Sequence, residues 1–194
     1  MKNQTFGIEI ETTGIGRERT AKAIAAYFGT TARYVGHHLD DWKVPMPDGR
    51  HWTVESDGSV TDPNAEVVSP VCRYEDIQMV QEVVRAIRAA GAKADGSCGI
   101  HIHIGLGAHT IEFRAFNGTL HAGEIKAYIQ LCLAISAQAL STKAASSTRP
   151  VTDNPKYTFR CWLLRLGFIG DEFSTAREHL LKKLPGNAAW RQAS

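Results

Sequence analysis

The sequence predicts an α+β domain built on a largely antiparallel sheet, and two patterns carry that prediction. Three short stretches alternate apolar and polar residues with a period of two, and each sets a polar pair at i and i+2 against an apolar face. Among and after them, apolar residues recur at helical spacing, with no strict βαβ alternation.

The most informative stretch is Cys98 to Leu120, CGIHIHIGLGAHTIEFRAFNGTL. It predicts two strands and a tight connection. Ile100, Ile102 and Ile104 alternate with His101 and His103, and Ile111, Phe113 and Ala115 alternate with Glu112 and Arg114. One face thus buries isoleucine while the other gathers two imidazoles, a carboxylate and a guanidinium. The third stretch, Ile8-Glu9-Ile10-Glu11, puts two carboxylates on one face.

Taken in order, residues 5–11 form a first strand with Phe6, Ile8 and Ile10 toward the core. A helix follows over 18–28, with Ala21, Ile24, Ala25 and Phe28 in register and Gly29 placed to end it. Residues 31–38 suit a strand, whereas Asp40 to Gly49, with two prolines and a PDG triplet, is expected as a turn region. Strands are predicted from Arg50 to Glu55 and from Ala65 to Ser69, the latter stopped by Pro70. The stripe Ile77, Val80, Val84, Ile87 marks a helix over 74–90 that Gly91 terminates. Beyond the strand pair, a helix over 122–140 is apolar on most sides and is expected inside the domain. Ser141 to Pro155 is a polar loop, and two shorter helices, 157–166 and 172–184, close the chain. Residues 1–194 are expected to form one domain, with 141–194 a C-terminal loop and helical part of it.

Bulk composition excludes several classes. A net charge of +2, from 22 basic and 20 acidic residues, gives no clustered basic face for nucleic acid. No 18-residue apolar run suggests a membrane span, and Met1 to Gln4 leads directly into a strand rather than a signal peptide. The four cysteines, Cys72, Cys98, Cys132 and Cys161, form no CxxC pair, so a reduced, cytoplasmic protein is expected.

Glu9 and Glu11 sit about 7 Å apart on their strand face, where two carboxylates repel by roughly 2 kcal/mol at an effective dielectric near 20. A solvated edge tolerates that cost; a divalent cation turns it into ligation, and oxygen donors suit Mg²⁺. His101 and His103 can share a metal or divide between a metal and a phosphate, and Glu112 on the next strand strengthens that reading. Arg114 beside Glu112 is either a plain ion pair or a phosphate clamp, and the surrounding carboxylates favour the clamp. By themselves Glu66 suits an exposed strand position and Asp57, in DGS, an ordinary turn.

These residues belong to a recognisable set. FGIEIE, WTVESDGS, AEVVSP, CGIHIHIG, TIEFRAFNGTL and FRCWLLRLG together resemble, in order and over nearly the whole chain, the amidoligase family. That family is a branch of the carboxylate–amine ligases related to glutamine synthetase and glutamate–cysteine ligase. The resemblance implies ATP-dependent amide formation on a glutamine-synthetase-like fold, an antiparallel sheet whose concave face holds metal-bound nucleotide, with helices behind it. It implies Glu9, Glu11, Glu66 and Glu112 as metal carboxylates, and His101 and His103 at the metals and phosphates. Arg114 becomes the phosphate-contacting arginine, Asp57 helps receive the amine, and Arg160 is a weaker candidate for nucleotide contact. In one respect the chain departs from the family: a helical segment usually separates the HxH strand from the EFR strand, and here only Gly105 to Thr110 stands between them.

The expectation is therefore an ATP- and Mg²⁺-dependent ligase, with Mn²⁺ as an alternative ion, joining a carboxylate to an amine through an acyl phosphate. Its carboxylate and amine substrates are left open between small molecules, peptides and proteins, and a homo-oligomer is compatible with sites built at subunit contacts in related ligases. Two rivals are a metal-dependent hydrolase that uses the same His/Glu face without ATP, and a nucleotide-binding remnant without turnover.

Overall fold

The computed structural model describes residues 1–36, 38–148 and 150–190. Seven strands form one sheet in the order β2-β3-β4-β5-β1-β6-β7, with every pairing antiparallel. In chain order the strands are β1 (Phe6–Thr13), β2 (Arg33–Gly36), β3 (Asp41–Pro45), β4 (His51–Glu55), β5 (Asn64–Val68), β6 (Gly99–Leu106) and β7 (His109–Asn117). The helices are α1 (Arg17–Phe28), α2 (Ile77–Ala89), α3 (Ala122–Ser141), α4 (Pro155–Arg165) and α5 (Ser174–Leu181). The α+β class expected from the sequence is the class observed.

Period-two alternation decides which side the helices take. Ile8, Ile10, Trp52, Val54, Ala65, Val67, Ile100, Ile102 and Ile104 all point to one face and are fully or almost fully buried. Burying each isoleucine or valine stabilises the fold by about 1.5–3 kcal/mol before the entropy of ordering is subtracted. Against this face pack Ala21 and Ile24 of α1, the Ile77–Val80–Val84–Ile87 stripe of α2, and Ile125, Ile129 and Cys132 of α3. The far side of α3, with Ala127, Leu131 and Ala134, meets Leu163 of α4, Ala176 of α5, Phe168 and Phe173 in a second cluster. This is why α3 is apolar on most sides: it lies between two apolar layers. Among the described residues no helix packs on the opposite sheet face, and none is long and apolar enough to cross a membrane.

Helix ends follow their residues. Gly29 takes a left-handed conformation (φ 65°) and, with Thr30, closes α1 onto the carbonyls of Ala26 and Ala25. The helix expected over 74–90 begins as a single 3-10 turn, Tyr74–Asp76, before α2. A similar turn, Asp171–Phe173, precedes α5.

Three expectations need correction. Asp40 to Gly49 is not simply a turn: Asp41–Pro45 is an inner strand whose Val44 is buried, and the reversal is confined to Met46–Arg50, closed by Met46 N–H to Arg50 O at 2.8 Å. Pro45 is tolerated because it ends the strand, where one missing N–H breaks little of the ladder. The strand expected over 31–38 is shorter, Arg33–Gly36, and position 37 lies outside the described residues. In β7 the alternation slips. Ile102 faces Phe113, but Ile100 faces Phe116, so a β-bulge places Arg114 and Ala115 together opposite His101. Phe116, stacked on Tyr128 at 4.3 Å, takes the inward position expected for Ala115, while Ile111 near the hairpin end is 46% exposed.

Candidate active site

The open face is organised by strand register. β1 lies between β5 and β6, with Glu11 opposite Glu66 and Glu9 opposite both Val68 and His101. His103 faces Gly7 on one side and Glu112 on the other. Carboxylates and imidazoles from four neighbouring strands thus form one connected patch, although Glu9 and Glu112 are 103 positions apart in sequence.

His101 is the most enclosed member, 7% exposed. Its Nδ1 lies 3.1 Å from Glu9 Oε2 and its Nε2 3.5 Å from Glu11 Oε1, so the ring is clamped between the paired carboxylates of β1. The clamp needs Gly99: its N–H donates to Glu11 Oε2, and a Cβ at this position would lie 3.1 Å from His101 Nε2 and 3.3 Å from that same oxygen. His103 Nε2 is 3.0 Å from Glu9 Oε1 but buried without an aligned hydrogen bond. Arg114 Nη1 donates to Glu112 Oε1 at 2.7 Å, and its side chain remains largely exposed.

Asp57 joins the patch from the turn after β4. Its Oδ1 accepts hydrogen bonds from the Ser59 backbone N–H (2.7 Å) and the Ser59 hydroxyl (2.8 Å). The backbone bond is the main reason that its carboxyl is held below the usual carboxylate range. Glu66 goes the other way. Burial, followed by repulsion from Glu9, Asp57, Glu55 and Glu11, raises it to about 7.

Sequence reasoning missed Glu55. It lies directly opposite Glu66, and burial, then the charges of Asp41 and Glu9, raise its pKa. The signal was present in WTVE, where Trp52 and Val54 turn inward and leave Thr53 and Glu55 on the open face. Arg160 stands apart: it belongs to α4, beside the second apolar cluster, and makes no hydrogen bond or ion pair with the patch among the described residues.

Three overlapping sets offer ligand atoms within 4.8 Å of one another: Glu9, His103 and Glu112; Glu9, Glu66 and His101; and Glu11, Asp57 and Glu66. Two of these sets hold a single imidazole and the third only carboxylates, and such oxygen-rich sets suit Mg²⁺ or Mn²⁺. The crowded, partly buried carboxylates, and His103 Nε2 buried without an aligned hydrogen bond, are the strain that a divalent cation would relieve, so the residues fit such an ion.

Fold and patch together define an α+β protein that keeps its helices behind an antiparallel sheet and gathers carboxylates and imidazoles on the open face. A family model described as "putative amidoligase enzyme" matches residues 2–110 and 106–136, well over half of the chain, and the chain belongs to that family. The two matched segments overlap at residues 106–110, in the short β6–β7 connection. Neither the curated proteins nor the solved structures compared with the chain include a match.

Proposed function

We propose that the protein is an ATP- and Mg²⁺-dependent carboxylate–amine ligase on a glutamine-synthetase-like sheet. Family membership supports the ligase class, and the observation that carries the finer reading is the set of three contiguous donor groups on one open face. In the reaction a substrate carboxylate oxygen bonds to the γ-phosphorus of ATP as the bond to the β–γ bridging oxygen breaks and ADP leaves. The amine then attacks the acyl carbon, the carbon–oxygen bond breaks, and phosphate departs.

Glu9, Glu11, Glu66, Glu112 and the two histidines would hold Mg²⁺, whose contribution is to neutralise charge on the phosphoryl oxygens. His101, clamped by Glu9 and Glu11, orients both carboxylates. Arg114 extends from the exposed edge strand and is free to exchange Glu112 for phosphate oxygens, where its planar fork stabilises transferring charge. Asp57, kept ionised by the Ser59 N–H, is the acceptor for the proton that the amine must lose. Four free cysteines, three of them buried, support a reducing, cytoplasmic setting.

One observation favours a second reading, nucleotide binding without turnover: the β6–β7 hairpin is short and the face is uncovered among the described residues. Calorimetry and a hydroxylamine trap separate the two. ATP should bind with Mg²⁺ and not in EDTA, and a ligase should release ADP and form hydroxamate from a carboxylate panel. ATP binding that is equal in EDTA would refute metal-bridged binding, and Mg²⁺-dependent binding with no ADP release would support the non-catalytic reading.

A further inference from the structure

Behind the sheet, the contact between α2 and α3 is not closed. A cavity of about 190 Å³ lies there, lined by Gln81 of α2, by Lys126 and Gln130 of α3, and by Tyr74 and Glu75 of the 3-10 turn that precedes α2. Glu172, from the turn before α5, completes the lining. That volume is well above the ~10–15 Å³ that one water needs and below the roughly 300–1,000 Å³ of a site for a drug-sized ligand. It suits a molecule of a few heavy atoms. The space is framed rather than loose, because Gln81 Nε2 donates to the Ala122 carbonyl at 2.9 Å and staples α2 to the start of α3.

Gln130 is 1% exposed, and its amide is satisfied at one end only. Its neighbour fixes which end. The Tyr74 hydroxyl donates to the Glu172 carboxylate; burial, then that bond, raises the phenol's pKa, so the proton stays on the oxygen. Tyr74 Oη therefore offers Gln130 a lone pair, and Gln130 Nε2 donates to it at 2.7 Å. The amide carbonyl is what remains: Oε1 is buried with no hydrogen-bond partner among the described residues. A bare buried acceptor destabilises the fold, and leucine in its place would avoid that cost. A donor inside the cavity removes it.

The charges narrow the ligand. Glu172 is already engaged, by Lys2 at 2.8 Å and by Tyr74. Half-buried Lys126 and exposed Glu75 make no ion pair among the described residues. The lining thus presents one bare acceptor, one uncommitted cation and one uncommitted anion. A simple anion or a simple cation would match only one of the two charges, whereas a zwitterion matches both.

We infer that this cavity binds a small α-amino acid as its zwitterion, the ammonium donating to Gln130 Oε1 and the carboxylate meeting Lys126. Glu75 supplies the countercharge for the ammonium. Because α2 and α3 pack on the closed face of the sheet, the site is separate from the donor patch and does not depend on the ligase reading.

The test is calorimetry with thermal scanning on the full chain in EDTA, which keeps bound metal out of the measurement. Glycine, L-alanine and L-serine are the probes, with acetate and methylammonium as the separate halves of the charge pattern. At least one of the amino acids, at about 10 mM, should raise the melting temperature by about 1–2 °C, and neither half should do so. Alanine methyl ester and N-acetylalanine, each lacking one charge, should bind at least about tenfold more weakly than alanine. Gln130→Leu keeps the bulk and removes the bare oxygen, and should lower affinity by about tenfold. Lys126→Gln should weaken binding to a similar degree and Lys126→Arg should retain it, which keeps the inference testable if Gln130→Leu does not fold. Absence of binding by all three amino acids, undiminished binding in Gln130→Leu or Lys126→Gln, or equal binding of the methyl ester would each overturn it. So would a crystal soaked in the amino acid that shows only ordered water at Gln130 Oε1.

Discussion

Replacing Glu66 by Gln removes one charge from the most crowded part of the patch and keeps the shape of the side chain. In the folded protein this carboxyl titrates at about 7, first because it is buried and then because Glu9, Asp57, Glu55 and Glu11 surround it. Its ordinary value is 4.5. The folded state therefore holds the proton more tightly than the unfolded chain, and stability falls as pH rises from about 4.5 to about 7. Below that window both states are protonated and the group has no effect; above it the full penalty applies. The shift corresponds to at most about 3 kcal/mol, and partial exposure reduces this to roughly 1–2 kcal/mol. Glu66→Gln should then melt about 2–8 °C higher than the wild type at pH 8, on the scale of a domain this size, and the gap should close near pH 4.5. Thermal scans across that range, with and without Mn²⁺, check it. Added Mn²⁺ should stabilise the wild type more than the variant, because the variant has lost a ligand oxygen's charge. A variant that melts lower at pH 8, or a difference that does not change with pH, would show that Glu66 is not strained.

Two further outcomes probe the patch. Glu112→Gln should lower Mn²⁺ affinity first and ATP affinity only through it, whereas Arg114→Lys should spare Mn²⁺ and weaken phosphate positioning, with turnover falling more than ATP affinity; paramagnetic relaxation and calorimetry read the two ligands, and identical losses in both variants would indicate a plain ion pair. Gly99→Ala sets a methyl group 3.1 Å from His101 Nε2 and should loosen the clamp, weakening Mn²⁺ binding several-fold while the far-ultraviolet circular dichroism stays unchanged; unaltered Mn²⁺ affinity would mean that the clamp does not support the metal ligands.

The parts of this architecture legible in the sequence are those that a single strand can announce. Glu9 with Glu11, and His101 with His103, share a face by period two alone, and the apolar stripe of α2 is equally local. What a strand cannot announce is its neighbour. That Glu11 meets Glu66, or that Glu55 extends the acidic row, depends on β5 being inserted between β4 and β1. The β7 bulge is likewise set by pairing: Phe113 and Phe116 both reach the core only because an extra residue is accommodated opposite His101. In β3, Trp42 and Val44 do alternate with Lys43, but Pro45, Pro47 and Gly49 follow so closely that their turn signal outweighed it.

The position of β1 within the sheet also constrains how the protein is made. Its residues are the first of the seven strands to leave the ribosome, yet its hydrogen-bonding partners begin at residue 64 on one side and residue 99 on the other. Until β5 is made the strand bearing Glu9 and Glu11 has neither flank, and no donor set that includes a histidine exists until β6 has emerged. Closing such long-range pairings is the slow part of folding. The strand translated first thus completes its pairing only when β6 arrives, and a chain stalled before β6 would carry the carboxylates of β1 without the histidine that holds them.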